Sequence, residues 1–154
     1  MEPPKQITPE KLADYLEVMT KAVFESGISW AIIEAKWPGF QAAFHGFDPE
    51  RIANLSPDEV DALTSDTRII RNRRKIESTV HNAQTMLALE QEFGGFKNYL
   101  ESLESFPAAT KDMRKRFKHV GDFGVFYFLY VVQEPVPAYH EFREKLLESG
   151  TRVK

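Results

Sequence analysis

The longest regular pattern in the 154-residue chain runs from about residue 72 to residue 92. Apolar side chains recur there at the spacing of one helix face, at Ile76, Val80, Ala83 and Leu87. Two glycines, Gly94-Gly95, follow the pattern and are typical of a helix end. The pattern therefore predicts the longest helix of the fold.

Cap residues, often followed by proline, mark the starts of the other helices. The clearest is Ser56-Pro57-Asp58-Glu59, a capping box with proline in the first turn. Similar signals predict helices at residues 8–26, 29–35, from Pro38, from Asp48, 96–103, 110–117, 122–132 with Asp122 as its cap, and 138–148. No alternating strand pair with a turn is present. We therefore expect an all-α, single-domain helical bundle over residues 8–148, with mobile ends at 1–7 and 149–154.

The composition excludes several kinds of site. The absence of cysteine excludes disulfides, thiol nucleophiles and cysteine-containing zinc sites, and the four scattered histidines make a poor metal site. We expect no metal and no cofactor. The sequence lacks a long apolar run and a secretory signal, so we expect a soluble cytoplasmic protein without a membrane partner.

Two basic clusters stand out in a chain of net charge −3. That net charge argues against binding of nucleic acid through bulk charge, but local clustering permits a basic face. The first cluster holds Arg68, Arg71, Arg73, Arg74 and Lys75, and the second holds Lys111, Arg114, Lys115, Arg116 and Lys118. The alternatives are a solvated basic helix start for the first and a basic last helical turn, which suits the helix dipole, for the second.

Three segments together resemble one known family. They are GISWAIIEAKWPGFQAAFHGFDPERIA at residues 27–53, DTRIIRNRRKI at 66–76 and KRFKHVG at 115–121. They are similar to the type I 3-methyladenine DNA glycosylases of the helix-hairpin-helix superfamily. The resemblance implies an enzyme of base-excision repair that hydrolyses the N-glycosidic bond of an alkylated purine, such as 3-methyladenine, in double-stranded DNA. It implies no obligatory protein partner.

Two other functions are compatible with the same sequence. One is a non-catalytic binder of damaged DNA or of a nucleobase with the same fold. The other is a structural or partner-binding helical domain, which basic clusters on different faces would favour.

The resemblance assigns the DNA contacts to the hairpin between residues 58–64 and the long helix. Backbone N–H groups of such a hairpin hold phosphates, and nearby cations add a salt-dependent attraction. We expect phosphate contacts from Arg71, Arg73, Arg74, Lys75 and, in the second cluster, Lys118. The family commonly has glycine where this chain has Arg68 and Arg74, so side-chain charge is expected to replace close backbone approach.

The resemblance also implies a pocket for the flipped-out base. Trp30 falls on the family's pocket tryptophan and is expected to stack on the base. The family's recognition glutamate corresponds to Ala22, which cannot accept a hydrogen bond. Glu25, one helical turn further on, is the expected base-binding and catalytic carboxylate. The alternatives are core packing for Trp30 and an exposed helix-end position for Glu25.

The zinc site of characterised family members has no counterpart in the sequence. Both cysteine positions are unfilled, and Ala138 stands where the C-terminal histidine is expected. Trp37 is expected to pack beneath a turn, and Phe123, Phe126 and Phe128 are expected to belong to the core.

Overall fold

The computed structural model describes residues 3–148, except the side chains of residues 146 and 147. Nine α-helices and a 3₁₀ turn at His45–Phe47 are formed, and no β-strand occurs within this range. The helices are α1 (Leu12–Glu25), α2 (Trp30–Ala43), α3 (Pro49–Ala53), α4 (Pro57–Leu63), α5 (Arg73–Phe93), α6 (Phe96–Glu101), α7 (Phe106–Arg116), α8 (Asp122–Val131) and α9 (Tyr139–Glu148). The all-α prediction is confirmed. None of the described helices is both long and apolar enough to cross a membrane.

Helix α1 lies between α5 and α8, and these three helices form the centre of the fold. Leu16, Met19 and Val23 of α1 are fully buried, as are Ile76 of α5 and Phe128 of α8. Removing this apolar surface from water is the main stabilising contribution to such a bundle. The same packing brings the end of α1 and the start of α8 next to the first turns of α5.

The start of α1 differs from the sequence prediction. The helix begins at Leu12 rather than at Thr8. Residues 6–8 instead bind the end of α8: the Ile7 amide donates to the Val131 carbonyl at 2.8 Å, and Gln133 Nε2 donates to the Ile7 carbonyl at 2.7 Å. Part of the expected mobile end at residues 1–7 is therefore hydrogen-bonded to the helical body. Residues 1–2 and the other expected mobile end, 149–154, lie outside the described residues.

Helix α2 is one continuous helix, whereas the sequence predicted a break before Pro38. Proline has no N–H for the Glu34 carbonyl, but both residues are exposed, so water can satisfy that carbonyl. The inner face of α2 is aromatic: Trp37 stacks on Phe40 with ring centroids 4.8 Å apart and on Phe47 at 5.4 Å. Burial of these rings outweighs the helix-breaking tendency of Pro38.

Most of the predicted caps are present. Ser29 Oγ accepts from the Ala31 amide at 3.2 Å, and the Ser56–Glu59 capping box is complete. Gly94 ends α5 in the left-handed conformation at φ 71°. Two further starts were wrong: α7 is capped by Ser105 and begins at Phe106, four residues earlier than predicted, and Gly121, not Asp122, is the cap of α8.

Candidate functional site

A cavity of about 340 Å³ lies where the end of α1 faces the start of α8. We call it the α1–α8 cavity. Its lining residues are Ala22, Glu25, Ser26, Gly27, His119, Gly121, Asp122, Phe123, Gly124 and Tyr127. Ala22 and Glu25 line it together because residues three apart share one helix face. This volume lies within the range of pockets that bind small organic ligands.

Glycine at position 124 lets α8 approach the cavity closely. A Cβ at this position would lie 3.2 Å from Val120 Cγ1 and 4.0 Å from the Ala22 Cβ. The first contact is tighter than ordinary van der Waals packing. Alanine at position 22 and glycine at position 124 therefore leave space between α1 and α8, and this space is part of the cavity.

Glu25 is only 4% exposed, although the alternative from sequence was an exposed helix end. Burial raises its pKa from 4.5 to about 8; the Lys21 ammonium opposes the shift, and the Glu34 carboxylate adds to it. A hydrogen bond with the Tyr127 hydroxyl favours the ionised form of Glu25 and also opposes the shift. Glu25 is therefore mostly a neutral acid near pH 7, held at the boundary between the two helices.

Burial also raises the pKa of Tyr127, so the phenol keeps its proton and can donate to Glu25. The Tyr127 ring is 5% exposed and packs edge-on against Trp30, with centroids 5.7 Å apart. Phe123 lies 6.2 Å from Trp30 on the same side. Phe123 and Tyr127 thus form an aromatic wall of the cavity, with Trp30 packed against both of them.

Trp30 does not line the α1–α8 cavity itself. It lines a neighbouring cavity of about 550 Å³, together with Trp37, Lys21, Glu34 and the segment 3–7. Glu25 and Tyr127 line both cavities and so stand between them. The indole Nε1 of Trp30 is buried and has no hydrogen-bond partner among the described residues.

Trp37 lies in the core, as the sequence predicted, and is fixed by a polar contact as well. It is 7% exposed, and its Nε1 donates to Glu17 Oε2 at 2.8 Å. Phe126 and Phe128 are fully buried core residues, as expected. Phe123, which the sequence grouped with them, is a cavity residue instead.

The segment between α4 and α5 has the helix–loop–helix layout that the sequence predicted. Ile69 is buried at 2% exposure and anchors the loop. Gly39 of α2 packs directly beneath it, because a Cβ at this position would lie 2.3 Å from the Arg68 carbonyl oxygen. The Arg68 side chain pairs with Asp66 at 2.7 Å.

The predicted phosphate-binding cations have different surroundings. Arg71, Arg74 and Lys118 are exposed. Arg73 is also exposed, but it pairs with Asp61 at 2.5 Å and with Glu77 at 3.8 Å. These four side chains have guanidinium or ammonium groups at the surface, where a phosphate could reach them.

Lys75 has a different position from the one predicted. Its side chain is 5% exposed, and Nζ donates to the Phe24 carbonyl at 3.1 Å and to the Ser26 carbonyl at 2.5 Å. These carbonyls belong to the end of α1, where helix carbonyls have no intrahelical partner. The prediction of a surface phosphate contact is therefore corrected: Lys75 joins α5 to the α1 end of the cavity.

Arg74 and Lys118 come together although they are distant in sequence. With Glu77, Ser78 and His119 they line a shallow surface cavity of about 430 Å³. His119 also lines the α1–α8 cavity, so the cationic surface adjoins the cavity mouth. Among the described residues, no group of three or more His, Cys, Asp or Glu side chains is placed to hold a metal ion.

Comparison with known families agrees with this arrangement. The family model for methyladenine glycosylases matches residues 9–125. The chain belongs to the methyladenine glycosylase family. The matched range includes α1, the α4–α5 segment and nearly all residues of the α1–α8 cavity, but ends before Tyr127.

Two relatives and one structure of this family show the extent of the similarity. The chain is 32% identical over 89 residues to the DNA-3-methyladenine glycosylase of Haemophilus influenzae, covering 58% of this chain and 48% of that protein. It is 31% identical over 118 residues to DNA-3-methyladenine glycosylase 1 of Escherichia coli, covering 63% of each. The chain thus spans about half of the length of the first relative and less than two thirds of the length of the second. A crystal structure of 3-methyladenine DNA glycosylase I superposes with a TM-score of 0.71 at 29% identity, covering 81% of both chains.

Among the cavity residues not selected from the sequence are Tyr127, Phe123 and His119. Tyr127 lies in the apolar run of the helix predicted at residues 122–132, and Phe123 was grouped with core phenylalanines. His119 lies within the KRFKHVG motif, but only its neighbour Lys118 was chosen. That motif was the available signal, since it is one of the three segments that carry the family resemblance.

Proposed function

We propose that this protein is a DNA glycosylase that hydrolyses the N-glycosidic bond of an alkylated purine, such as 3-methyladenine, in double-stranded DNA. The observation on which the proposal rests is the α1–α8 cavity, where a buried carboxyl and an aromatic wall lie beside exposed cations. Family membership and the names of the relatives support the same activity.

The cavity suits a base that has been turned out of the duplex. An enzyme that acts on the glycosidic bond has to extrude the nucleotide and hold its base by stacking and edge contacts. Phe123 and Tyr127 offer ring surfaces, and an alkylated purine is cationic, so a cation–π attraction of about 0.5–2 kcal/mol favours it over a normal base. Trp30, the stacking residue expected from the sequence, supports this wall by packing against both rings.

The reaction needs little help with the leaving group. Water adds its oxygen to C1′ of the sugar while the bond from C1′ to the purine nitrogen breaks. The bonding electron pair moves onto the cationic base, which leaves as a neutral molecule, and the water loses a proton. Ionised Glu25 would stabilise the positive charge of the bound base and of the developing sugar cation. Because its pKa is about 8 in the free protein, a cationic base favours loss of the Glu25 proton on binding.

The DNA backbone is proposed to lie across Arg71, Arg74 and Lys118. Such contacts with phosphate are independent of sequence and position the duplex. Arg73 is a weaker contributor in this proposal, since its guanidinium is already paired with two carboxylates. Lys75 is assigned the structural role described above.

The proposal is tested by measuring release of 3-methyladenine from methylated duplex DNA with the purified chain. We expect release by the parent protein and at least about a tenfold slower release by Glu25→Gln, which keeps the shape but loses the charge. Affinity for undamaged duplex should be unchanged in this variant, because phosphate contacts elsewhere supply it.

Glu141→Gln is the matched control, since Glu141 is exposed on α9. A parent that releases no alkylated base, but binds methylated DNA more tightly than undamaged DNA, would establish the non-catalytic binder instead. Full activity of Glu25→Gln would show that another group has the role assigned to Glu25.

A further inference from the structure

His119 lies in a rigidly held segment between α7 and α8. Its backbone has φ 60°, a left-handed conformation that residues other than glycine adopt uncommonly. The fully buried Asn82 of α5 binds the neighbouring Lys118 twice: Nδ2 donates to the Lys118 carbonyl at 3.1 Å, and Oδ1 accepts from its amide at 2.8 Å. His81 Nε2 lies 3.1 Å from the Arg116 carbonyl. The strained backbone of His119 is therefore fixed by side chains of α5.

The hydrogen bonds of Ser78 determine which nitrogen of His119 has a proton. Ser78 Oγ lies 2.8 Å from the Arg74 carbonyl and 3.2 Å from His119 Nδ1. A carbonyl oxygen can only accept a hydrogen bond, so Ser78 donates its single hydroxyl proton to the backbone carbonyl of Arg74. The contact with His119 is then satisfied only if Nδ1–H donates to Ser78 Oγ. In the neutral ring this leaves Nε2 as an acceptor, on the side of the ring away from Ser78.

The surroundings of His119 keep the ring neutral. Burial lowers its pKa below the ordinary value, and the charges of Lys75 and Arg74 lower it further. Lys118 is the other cation lining the shared surface cavity, and Glu77 is the acid there. His119 lines the α1–α8 cavity, and the ring with an unprotonated Nε2 is thus the form present near pH 7.

From these contacts we infer that His119 Nε2 accepts a hydrogen bond from the 6-amino group of a flipped-out alkylated adenine and so selects alkylated adenine over alkylated guanine. The inference rests on the proposed function and adds a specificity residue to it. Adenine has an amino group at position 6, which donates, whereas guanine has a carbonyl oxygen there, which accepts. Two acceptors facing each other repel and leave both without a partner. Ala22 cannot supply the acceptor, and His119 lines the same cavity.

The tautomer can be tested without any activity. Long-range ¹H–¹⁵N correlation of the free protein should show His119 with a protonated Nδ1 and an unprotonated Nε2 at neutral pH. Ser78→Ala should remove this preference, because the acceptor for Nδ1–H is lost. A protonated Nε2 in the parent protein would overturn the inference, whatever the protein does to DNA.

Specificity is tested by comparing release of 3-methyladenine and 3-methylguanine from methylated DNA. His119→Gly removes the ring and tolerates the positive φ, and we expect the preference for methyladenine to fall about tenfold. His119→Asn tolerates this φ and offers a shorter acceptor, so part of the preference should return. His45→Gly is the matched control, since His45 also has a positive φ, 53°, and is itself exposed in the 3₁₀ turn.

The outcomes separate the two proposals. If His119→Gly releases 3-methyladenine and 3-methylguanine in the same ratio as the parent, the role of His119 is overturned and the glycosylase proposal remains intact. Absence of release by the parent itself would overturn the glycosylase proposal. In that case the free base 3-methyladenine is added to the labelled protein, and no shift of the His119 Nε2 signal would overturn the inference as well.

Discussion

Glu25 illustrates how a single buried group can make the stability of a protein depend on pH. The folded protein holds its proton until about pH 8, whereas the unfolded chain loses it near the ordinary pKa of 4.5. Between these values the unfolded state binds fewer protons, so the free energy of unfolding falls as pH rises. Above about pH 8 both states are ionised, and this contribution stops changing.

We therefore expect Glu25→Gln to be more stable relative to the parent at pH 7.5 than at pH 5. Each pH unit between the two pKa values lowers the free energy of unfolding of the parent by about 1.4 kcal/mol. The glutamine side chain of the variant does not titrate, so its stability lacks this pH dependence. Urea unfolding of the parent, Glu25→Gln and Glu141→Gln at both pH values measures the difference. A constant gap between parent and Glu25→Gln would show that the carboxyl is not held protonated by the fold.

Sequence reasoning selected one residue that lines the candidate cavity, Glu25, but misplaced Lys75, because local patterns do not reveal distant contacts. Glu25 was selected because the resemblance assigns the recognition carboxylate to position 22, and helix geometry puts residue 25 on the same face as residue 22. The place of Lys75 could not be predicted, since its partners Phe24 and Ser26 lie 51 and 49 residues away along the chain. A basic cluster in a sequence does not show which of its members points inward.

At the level of the elements, the close approach of α2 to the α4–α5 loop depends on one glycine. Gly39 has no side chain, which allows the Arg68 carbonyl to rest on the helix backbone. The same helix shows what sequence patterns could not predict. The break expected at Pro38 is absent, because the packing of Trp37 and Phe40 is a tertiary contribution that no local signal reveals.

We expect Gly39→Ala to destabilise the protein by about 1–3 kcal/mol, because backbone must move to admit the methyl group. Displacement of the loop should also weaken binding to duplex DNA. Urea unfolding and DNA titration measure the two effects. Ile32→Ala is the stability control, since Ile32 lies on the same helix and is 49% exposed. Equal stability of Gly39→Ala and the parent would contradict the close packing of α2 and the loop.

On the scale of the whole molecule, an acidic protein is proposed to bind a polyanion. With a net charge of −3, long-range attraction to DNA is not expected, so the affinity must come from a few local cations. The sequence predicted the all-α fold and the family well, because caps, spacing and motifs are local. It predicted the surface less well, since Arg74 and Lys118 meet only when α5 packs beside the α7–α8 segment.

Replacing Arg71, Arg74 and Lys118 together by alanine should reduce the salt dependence of duplex binding. Each lost phosphate contact lowers the slope of log affinity against log salt by about one. Arg73→Ala should change the slope less, and Lys145→Ala on α9 is the control. Binding is titrated at several salt concentrations. An unchanged slope for the triple variant would place the DNA on another face.

Both tryptophans of the chain line the cavity beside Glu25, which the segment 3–7 also borders. Tryptophan fluorescence therefore reports on this cavity and on the packing of Trp37 against Phe40. Detachment of residues 6–8 from the end of α8 would admit water to the indoles while α1, α5 and α8 remain packed. An emission shift that precedes the loss of helical circular dichroism during unfolding would then mark this partial opening, so the two signals together resolve a step that either alone would miss.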